Sequence, residues 1–388
     1  VDSVHNVQPE KQRGPATLAA LFDYMGKHAK ARLASDPKAL ARMWLVIGQG
    51  VSEFGEPARG LAIAKRGLDL LRRTDPQALE DRASALSKLA ILHKRADDLA
   101  GAEAAARESI ALFQSRPPSR DRSLEIIRVR TLLGNLLTES GQWHKAVAAH
   151  RQILIDRAQL LGNDSPALAV DYYNLAHVLR RLNRTAEAYA AYSRAAKLVT
   201  ATDSAAPSVH ALFVQQGLAG CELDLGRLER ARKMFLDIRQ GYLHHYPPGH
   251  RTVLNVSVQL AEIERRSGHA QEALRMLRAL PDKIFDTINA RLSLVHALID
   301  NSRYDDARAA TLPLQAQMQR AHDPRAAYLP ALSAWLDYRA GGNATPARRA
   351  IDGALRVMRA AGYGELRETN ELARWHDALA ASGSNGQR

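Results

Sequence analysis

The sequence has 388 residues, of which 46% are hydrophobic, 24% are charged and 5% are aromatic. These proportions exclude a disordered or fibrous chain, and the length is too great for one ordinary hydrophobic core. The only cysteine is Cys221, which excludes an intrachain disulfide and a metal site built from thiolates. The 54 lysines and arginines exceed the 41 aspartates and glutamates by 13, which raises the question of an acidic partner.

The N-terminal part precedes a long repetitive region. Residues 1–14 are polar and without pattern, so we expect a linker there. Residues 15–36 are predicted to form a capping helix, because Leu18, Leu21, Phe22 and Met25 make one apolar stripe. Because the chain begins at Val1 and not at methionine, we expect it to be a fragment or a processed chain.

Nothing in the sequence resembles a leader or a membrane anchor. The longest stretch without acidic or basic residues runs from Ser204 to Cys221, and it contains Pro207 and several polar side chains. A helix in the bilayer does not readily accommodate these residues. We therefore expect any membrane contact to be made through a segment outside this chain.

Between residues 37 and 360 one short pattern returns eight times. Each copy has a turn residue of a type that adopts unusual backbone conformations, and consecutive turns are 34 to 44 residues apart. The eight turn positions are Gly55, Asp97, Gly141, Asn183, Gly226, Gly268, Ser302 and Gly342.

Helical patterns flank each turn. The first six turns follow, by seven positions, a small residue at which a neighbouring helix can approach closely: Gly48, Ala90, Gly134, Ala176, Ala219 and Ala261. An alanine, or Gly60 in the first copy, comes five positions after each turn. Such a helical hairpin cannot bury its apolar face alone, so neighbouring hairpins must stack. The sequence therefore predicts an all-α solenoid of about eight hairpins over residues 37–360.

The C-terminal residues depart from the repeat. Leu372, Trp375 and Leu379 recur on one helical face, so residues 361–381 are predicted to form a capping helix that covers the open end of the array. Residues 382–388, which are rich in serine and glycine, are expected to be a flexible tail.

The repeats resemble the tetratricopeptide repeat family. Trp44, Ile47 and Gly48 match the opening of its consensus, and the period near 42 residues is similar to that of kinesin-light-chain-type repeats. The loops Leu161–Pro166 and Tyr246–His250 resemble the inter-repeat loop of that subtype. The resemblance implies a right-handed superhelix whose first helices line a concave groove, and a role in binding a protein or peptide.

A second resemblance concerns the segment from Leu18 to Gly55. It is similar to the start of repeat regions in bacterial proteins, where such regions follow the membrane span of a serine/threonine kinase or a winged-helix DNA-binding domain. The first case implies a periplasmic sensor or interaction region in signal transduction. The second implies a cytoplasmic effector region of a transcriptional regulator. Residues upstream of Val1 would discriminate between them: an apolar span favours the kinase, and a helix-turn-helix favours the regulator.

Charges alternate near the ends of the first helices. The fifth residue after each small packing position alternates between acid and base: Glu53, Arg95, Glu139, Arg181, Asp224, Arg266 and Asp300. One interpretation is a purely structural ladder of ion pairs between neighbouring repeats, which leaves Lys94, Arg180 and Arg265 unpaired. The other is a groove that uses these spare cations to hold an acidic peptide or a carboxylate.

The candidate groove residues combine the spare cations with polar neighbours on the first helices. They are Lys94, Asn135, Asn174, His177, Arg180, Arg181, Glu262 and Arg265. The asparagine at position 174 matches the motif position at which the kinesin-light-chain resemblance implies a peptide-gripping asparagine.

No catalytic motif stands out. The sequence lacks a glycine-rich phosphate loop, a His-Glu-x-x-His motif and a Gly-x-Ser-x-Gly motif, so we expect neither an enzyme nor a cofactor. His244, His245 and His250 are interpreted as an inter-repeat loop because no acidic residue or cysteine completes a ligand set at metal-site spacing. The arginines are spread over all repeats without a dense basic arm, so nucleic acid is not expected as a partner. The oligomeric state stays open.

Overall fold

A computed structural model describes residues 18–200, 207–320 and 323–384, and over these ranges the chain is helical and has no strand. The predicted linker at 1–14 and the last residues of the predicted tail lie outside the described residues. The α-helices in chain order are α1 (Leu18–Arg32), α2 (Pro37–Glu53), α3 (Pro57–Thr74), α4 (Leu79–Arg95), α5 (Leu99–Gln114), α6 (Arg120–Glu139), α7 (Trp143–Leu161), α8 (Leu168–Arg181), α9 (Thr185–Thr200), α10 (Val209–Asp224), α11 (Leu228–Leu243), α12 (Arg251–Arg266), α13 (Ala270–Arg278), α14 (Ile288–Asp300), α15 (Tyr304–Arg320), α16 (Tyr328–Arg339), α17 (Ala344–Ala360) and α18 (Arg367–Ser384). Two short 3-10 helices, Asp282–Asp286 and Pro324–Ala327, precede α14 and α16.

The chain divides into two compact units, which are described separately. The first ends at Leu136 and the second begins at Leu137, so helix α6 starts in one and finishes in the other. Within each unit, consecutive helices pack as antiparallel hairpins, such as α2 with α3 and α8 with α9. The all-α repeat fold predicted from the sequence is confirmed. Among the described helices, the packed pairs are α2–α3 and α4–α5 in the first unit, and α8–α9, α10–α11, α12–α13, α14–α15 and α16–α17 in the second.

The turns inside the pairs lie where the sequence predicts, with one exception. A positive φ angle occurs at the first seven predicted turn positions, including Asp97 at 60° and Ser302 at 57°. In the last pair the positive φ, 101°, belongs to Gly341 and not to the predicted Gly342. Two adjacent glycines are equally able to adopt this conformation, so composition alone could not choose between them.

The small residues of the repeat are the points of closest helix approach. Ala90, Ala176, Ala219 and Ala261 are completely buried, as is the alanine five positions after each turn from Ala102 onward. At Gly48 the two helices are too close for a side chain, since a Cβ atom there would lie 2.5 Å from the carbonyl oxygen of Gly60 and 2.7 Å from Cβ of Ala64. The repeated small residues therefore set the distance between the helices of each hairpin.

The single cysteine, Cys221, is a free thiol buried in the second unit. Burial raises its pKa to about 12. Within the described ranges, no helix combines the length and the apolar character that a membrane crossing requires. Helix α18 continues to Ser384, three residues beyond the predicted end of the C-terminal helix.

Candidate functional site

The second unit contains a cavity of about 190 Å³. Helices α8, α10, α12 and α14, the first helices of four successive pairs, supply most of its wall. The start of α18 and the residues Trp143, Asn183 and Arg325 supply the rest. Its charged and aromatic lining residues are Trp143, His177, Arg180, Arg181, Asp224, Glu262, His296, Arg325, Arg367, Glu368 and Glu371. The cavity is therefore rich in charge of both signs.

Arg180 links two neighbouring first helices. Its Nε atom donates to Oδ2 of Asp224, at the end of α10, over 2.6 Å. The guanidinium lies across the backbone of Gly220, where a Cβ atom would come within 2.6 Å of its Cζ atom. Burial opposes the charge, but Asp224 outweighs it and raises the pKa of Arg180. Arg180 is therefore held in an inter-repeat ion pair.

Arg181, the next residue, has a different environment. Its Nε atom donates to Nε2 of His177 over 3.2 Å, and its guanidinium lies 5.6 Å from the ring centroid of Trp143. Among the described residues, no carboxylate lies within salt-bridge distance of it. Burial, with the nearby charge of Arg325, lowers the pKa of Arg181. Burial also lowers the pKa of His177 to about 3, so this histidine is a neutral acceptor.

Glu262 forms hydrogen bonds with three arginines. Its carboxylate accepts from Arg265 at 2.8 and 3.0 Å, from Arg266 at 2.8 Å and from Arg367 of α18 at 2.7 Å. Burial alone would raise the pKa of Glu262, but these hydrogen bonds and charges hold it well below its ordinary value. Glu262 is thus a fixed anion that ties α18 to α12.

The C-terminal side of the cavity has its own pairs. Arg325 binds Asp323 at 2.7 Å and reaches Glu368 at 3.3 Å. Glu371 accepts from the hydroxyl of Tyr328 at 2.9 Å and lies 3.4 Å from Nε2 of His296. Burial disfavours the charge of Glu371, yet these partners lower its pKa to about 2. Glu371 is therefore ionised at neutral pH.

A second set of contacts joins the start of α7 to the turn before α18. The hydroxyl of Tyr363 donates to the carbonyl of Gly141 over 2.7 Å, and Nε2 of His144 lies 2.9 Å from the carbonyl oxygen of Gly362. The Tyr363 ring also meets Trp143 edge-on, with centroids 5.6 Å apart. The start of α7 and the turn before α18, near the two ends of the second unit, therefore touch next to the cavity.

The structure places the sequence-predicted site residues in several locations. Four of them line the cavity: His177, Arg180, Arg181 and Glu262. Arg265 supports Glu262 from outside the lining, and Asn174 lies on α8 but away from the cavity. Lys94 and Asn135 belong to the first unit.

The predicted pairing of the charge ladder needs correction. Glu53 and Arg95 do pair, at 3.3 Å. In the second unit, however, Asp224 pairs with Arg180 and Asp300 with Arg265, both at 2.6 Å. Arg180 and Arg265 are therefore not spare cations, and Lys94 is not free either. For the pair of Arg180 and Asp224, the shift by one position is possible because Gly220 leaves room for Arg180 to cross α10.

Several lining residues were not among those predicted from the sequence. Arg367, Glu368 and Glu371 lie on the helix that was predicted only to cap the array through its apolar face. The signal that could have identified them is the opposite face of the same helix, which is charged. Arg367 and Glu371, four residues apart in the sequence, lie on that face. The contact of Trp143 with Arg181 depends on the fold.

Residues 125–201 match the family model of the tetratricopeptide repeat. The match runs from α6 to α9, so the tetratricopeptide assignment applies to this segment, and the other helical pairs have turns of the same kind. No curated protein sequence matches the chain significantly.

Solved structures with a similar fold include two Rap proteins. A Rap protein complexed with Competence and Sporulation Factor is 12% identical, with a TM-score of 0.56, and the match covers 90% of this chain and 99% of that one. The Rap conjugation gene regulator of the plasmid pLS20, in complex with the Phr* peptide, is 12% identical, with a TM-score of 0.53 and coverage of 80% and 92%. At such identities the similarity concerns the fold alone.

Kinesin light chain repeats from Podospora anserina also match. They are 16% identical, with a TM-score of 0.46, and the match covers 54% of this chain and 98% of that one.

Proposed function

We propose that this chain is a protein- or peptide-binding module whose ligand occupies the cavity of the second unit. The observation that carries the proposal is Arg181, a cavity-lining arginine without a carboxylate partner among the described residues. A partly buried guanidinium of this kind gains from a charge-assisted hydrogen bond to an anionic group. Trp143 and neutral His177 hold it in place for such a group. An acidic side chain or a terminal carboxylate of a peptide has the required chemistry.

The fold supports a binding role. Two proteins of similar fold are described as complexes, one with Competence and Sporulation Factor and one with the Phr* peptide. The helical pairs of this chain present their first helices to a polar cavity in the same general way that repeat scaffolds present a concave surface. We accordingly propose binding and no catalytic step for this chain.

The test uses the full chain and a display library of random dodecapeptides. Peptides enriched on the wild-type chain are then measured against Arg181→Gln and against Arg239→Gln, a control that removes the same charge from an exposed position on α11. We expect at least a tenfold loss of affinity for Arg181→Gln and no change for Arg239→Gln, because a hydrogen bond to a charged group contributes about 1.5–3 kcal/mol. Equal binding by the two variants, or no enrichment at all, would contradict the proposal.

We further propose that the chain is the periplasmic sensor or interaction region of a bacterial serine/threonine kinase. The support is the resemblance of the segment from Leu18 to Gly55. The alternative is a cytoplasmic effector region of a winged-helix regulator. The gene sequence upstream of the Val1 codon tests both, since an apolar span of about 20 residues after a kinase domain supports the first and a helix-turn-helix supports the second.

A further inference from the structure

The cavity of the second unit has a balanced set of charges. Its lining contains four arginines and four carboxylates. Three pairs account for six of these eight groups: Arg180 with Asp224 at 2.6 Å, Arg367 with Glu262 at 2.7 Å, and Arg325 with Glu368 at 3.3 Å. Arg181 and Glu371 are the lining residues outside these three arginine–carboxylate pairs, and Glu371 lies 3.4 Å from His296 instead.

The remaining cation is Arg181, which is held by uncharged groups. It donates to Nε2 of His177 and lies over the ring of Trp143. His177 stays neutral because burial lowers its pKa to about 3. Both partners fix the direction of the guanidinium without neutralising it, and the other donors of its planar head can still reach a ligand.

The carboxylate outside the three pairs is Glu371, on α18. It accepts from the hydroxyl of Tyr328 at 2.9 Å and lies 3.4 Å from Nε2 of His296. In the part of the chain that the structure describes, no arginine or lysine lies within salt-bridge distance of it. Its carboxylate therefore has lone pairs for a further donor.

Two opposite charges that share a small cavity without sharing a contact define a complementary ligand. Arg181 has no carboxylate partner among the described residues and would be stabilised by an opposite charge from outside. Glu371, which the Tyr328 hydroxyl and His296 already stabilise, can accept from a further donor. A ligand with only an acidic group would satisfy Arg181 and leave Glu371 as it is. We propose that the cavity recognises a ligand carrying both an anionic and a cationic group, with a carboxylate bound by Arg181 and an ammonium or guanidinium bound by Glu371.

This inference rests on the proposed peptide-binding function and narrows it to a ligand that is not simply acidic. The same chemistry could come from the side chains of a peptide or from a free amino acid. The volume of about 190 Å³ admits a pair of side chains or one such molecule. The experiment therefore needs an arm for each source.

The test is calorimetric titration of the full chain at pH 7.5 with defined probes. The first set consists of peptides blocked at both ends, in which a glutamate and a lysine are separated by zero to four glycines. Matched peptides replace either the glutamate or the lysine by glutamine. The second set is free arginine and free glutamate, which carry both charges without a peptide chain.

We expect at least one glutamate–lysine spacing to bind ten times more tightly than both of its single-charge counterparts. Arg181→Gln should remove the preference for glutamate over glutamine and keep that for lysine. Glu371→Gln should do the reverse. This crossed pattern would not arise from a general loss of structure, and circular dichroism checks that both variants are folded. Arg239→Gln and Glu365→Gln, at exposed positions, are the charge-matched controls.

The outcomes separate the two proposals. If the acid-only peptide binds as tightly as the doubly charged one, the inference is wrong and simple acidic-peptide binding stands. If none of the probes binds, both fail. Binding of a free amino acid with the same dependence on both variants supports the inference with a small-molecule ligand. Binding of the blocked peptides alone supports it with a peptide ligand.

Discussion

Arg180 and Asp224 form an ion pair between adjacent repeats, 44 residues apart in the chain, with 2.6 Å between Nε and Oδ2. Both side chains are about two-thirds or more buried. The pair exists because Gly220 lacks a side chain at the point where Arg180 crosses α10. Arg180 thus holds the ends of α8 and α10 together. Its neighbour Arg181 lines the cavity without an acidic partner among the described residues.

The energetic coupling of this pair is measurable. In a double-mutant cycle with Arg180→Gln and Asp224→Asn, we expect a coupling free energy of about 1–2 kcal/mol, since the pair is partly buried and hydrogen-bonded. The exposed pair of Arg107 and Glu103 on α5 is the comparison, with an expected coupling of about 0.3–0.5 kcal/mol. Urea denaturation gives both values, and equal couplings would contradict the structural role of Arg180.

Charge reversal should distinguish the structural role of Arg180 from the ligand-binding role proposed for Arg181. Arg180→Glu places a second carboxylate against Asp224 and is expected to destabilise the second unit by about 3 kcal/mol or more. Arg181→Glu removes the proposed ligand contact and should cost less stability, because no acidic partner is lost. Thermal unfolding and peptide titration on both variants check this. A larger stability loss for Arg181→Glu would show that Arg181 is the structural residue.

The close approach at Gly48 predicts a specific cost. In Gly48→Ala, the new methyl group would collide with the backbone of Gly60, so the helices must separate, at a net cost of about 1–3 kcal/mol. In Gly353→Ala, on α17, the methyl group meets nothing within 4 Å, and the gain in helix propensity should stabilise by about 0.5–1 kcal/mol. Amide hydrogen exchange of α2 and α17 measures each effect locally. Similar effects at the two glycines would contradict the packing argument.

The turn at Ser302 offers a stabilising change. Its φ of 57° lies in the left-handed region, which costs a residue with a Cβ atom about 1 kcal/mol relative to glycine. Ser302→Gly should therefore raise the free energy of unfolding by up to about 1 kcal/mol, whereas Ser302→Ala should not raise it. Denaturation curves of the two variants decide this, and equal shifts would exclude backbone strain as the cause.

His177 predicts a pH dependence of stability. In the unfolded chain a histidine protonates near pH 6.5, but in the folded state burial lowers the pKa of His177 to about 3. The contribution of neutral His177 to the free energy of unfolding is therefore complete above pH 6.5. It is lost as the pH falls from 6.5 toward 3, by at most about 1.4 kcal/mol per pH unit. His177→Gln should have a shallower loss of stability over this range than the wild type.

The control for this pH effect is His210→Gln, since His210 is exposed. We expect His210→Gln to keep the wild-type slope of unfolding free energy against pH. If His177→Gln also kept it, the histidine would not be neutral in the folded protein.

The repeat could be predicted in detail because small residues and turn residues have few alternatives. Seven of the eight turn positions are confirmed by their positive φ angles. At Gly341 and Gly342 the two candidates are chemically identical, so only the folded backbone distinguishes them. The buried alanines could likewise be read from their spacing, since no larger residue fits at the helix contact.

The site could be predicted only in part, because adjacent residues on a helix point about 100° apart. The sequence contains Arg180 and Arg181, but spacing does not show which one crosses Gly220 to reach Asp224. The roles of Arg367 and Glu371 depend on how α18 lies against α12 and α16, through contacts between residues 105 and 43 positions apart in sequence. Such long-range placement has no local signal in the chain.

The hydrogen bond from Tyr363 to Gly141 spans 222 residues. In an array where every hairpin touches only its neighbours, unfolding can start at either end and proceed stepwise. Here the start of α7 and the turn before α18 also stabilise each other, so neither end of the second unit can fray without a loss at the other. The second unit should consequently melt as one cooperative block. Its folding must close a long chain segment, which slows it relative to an open array of the same helices.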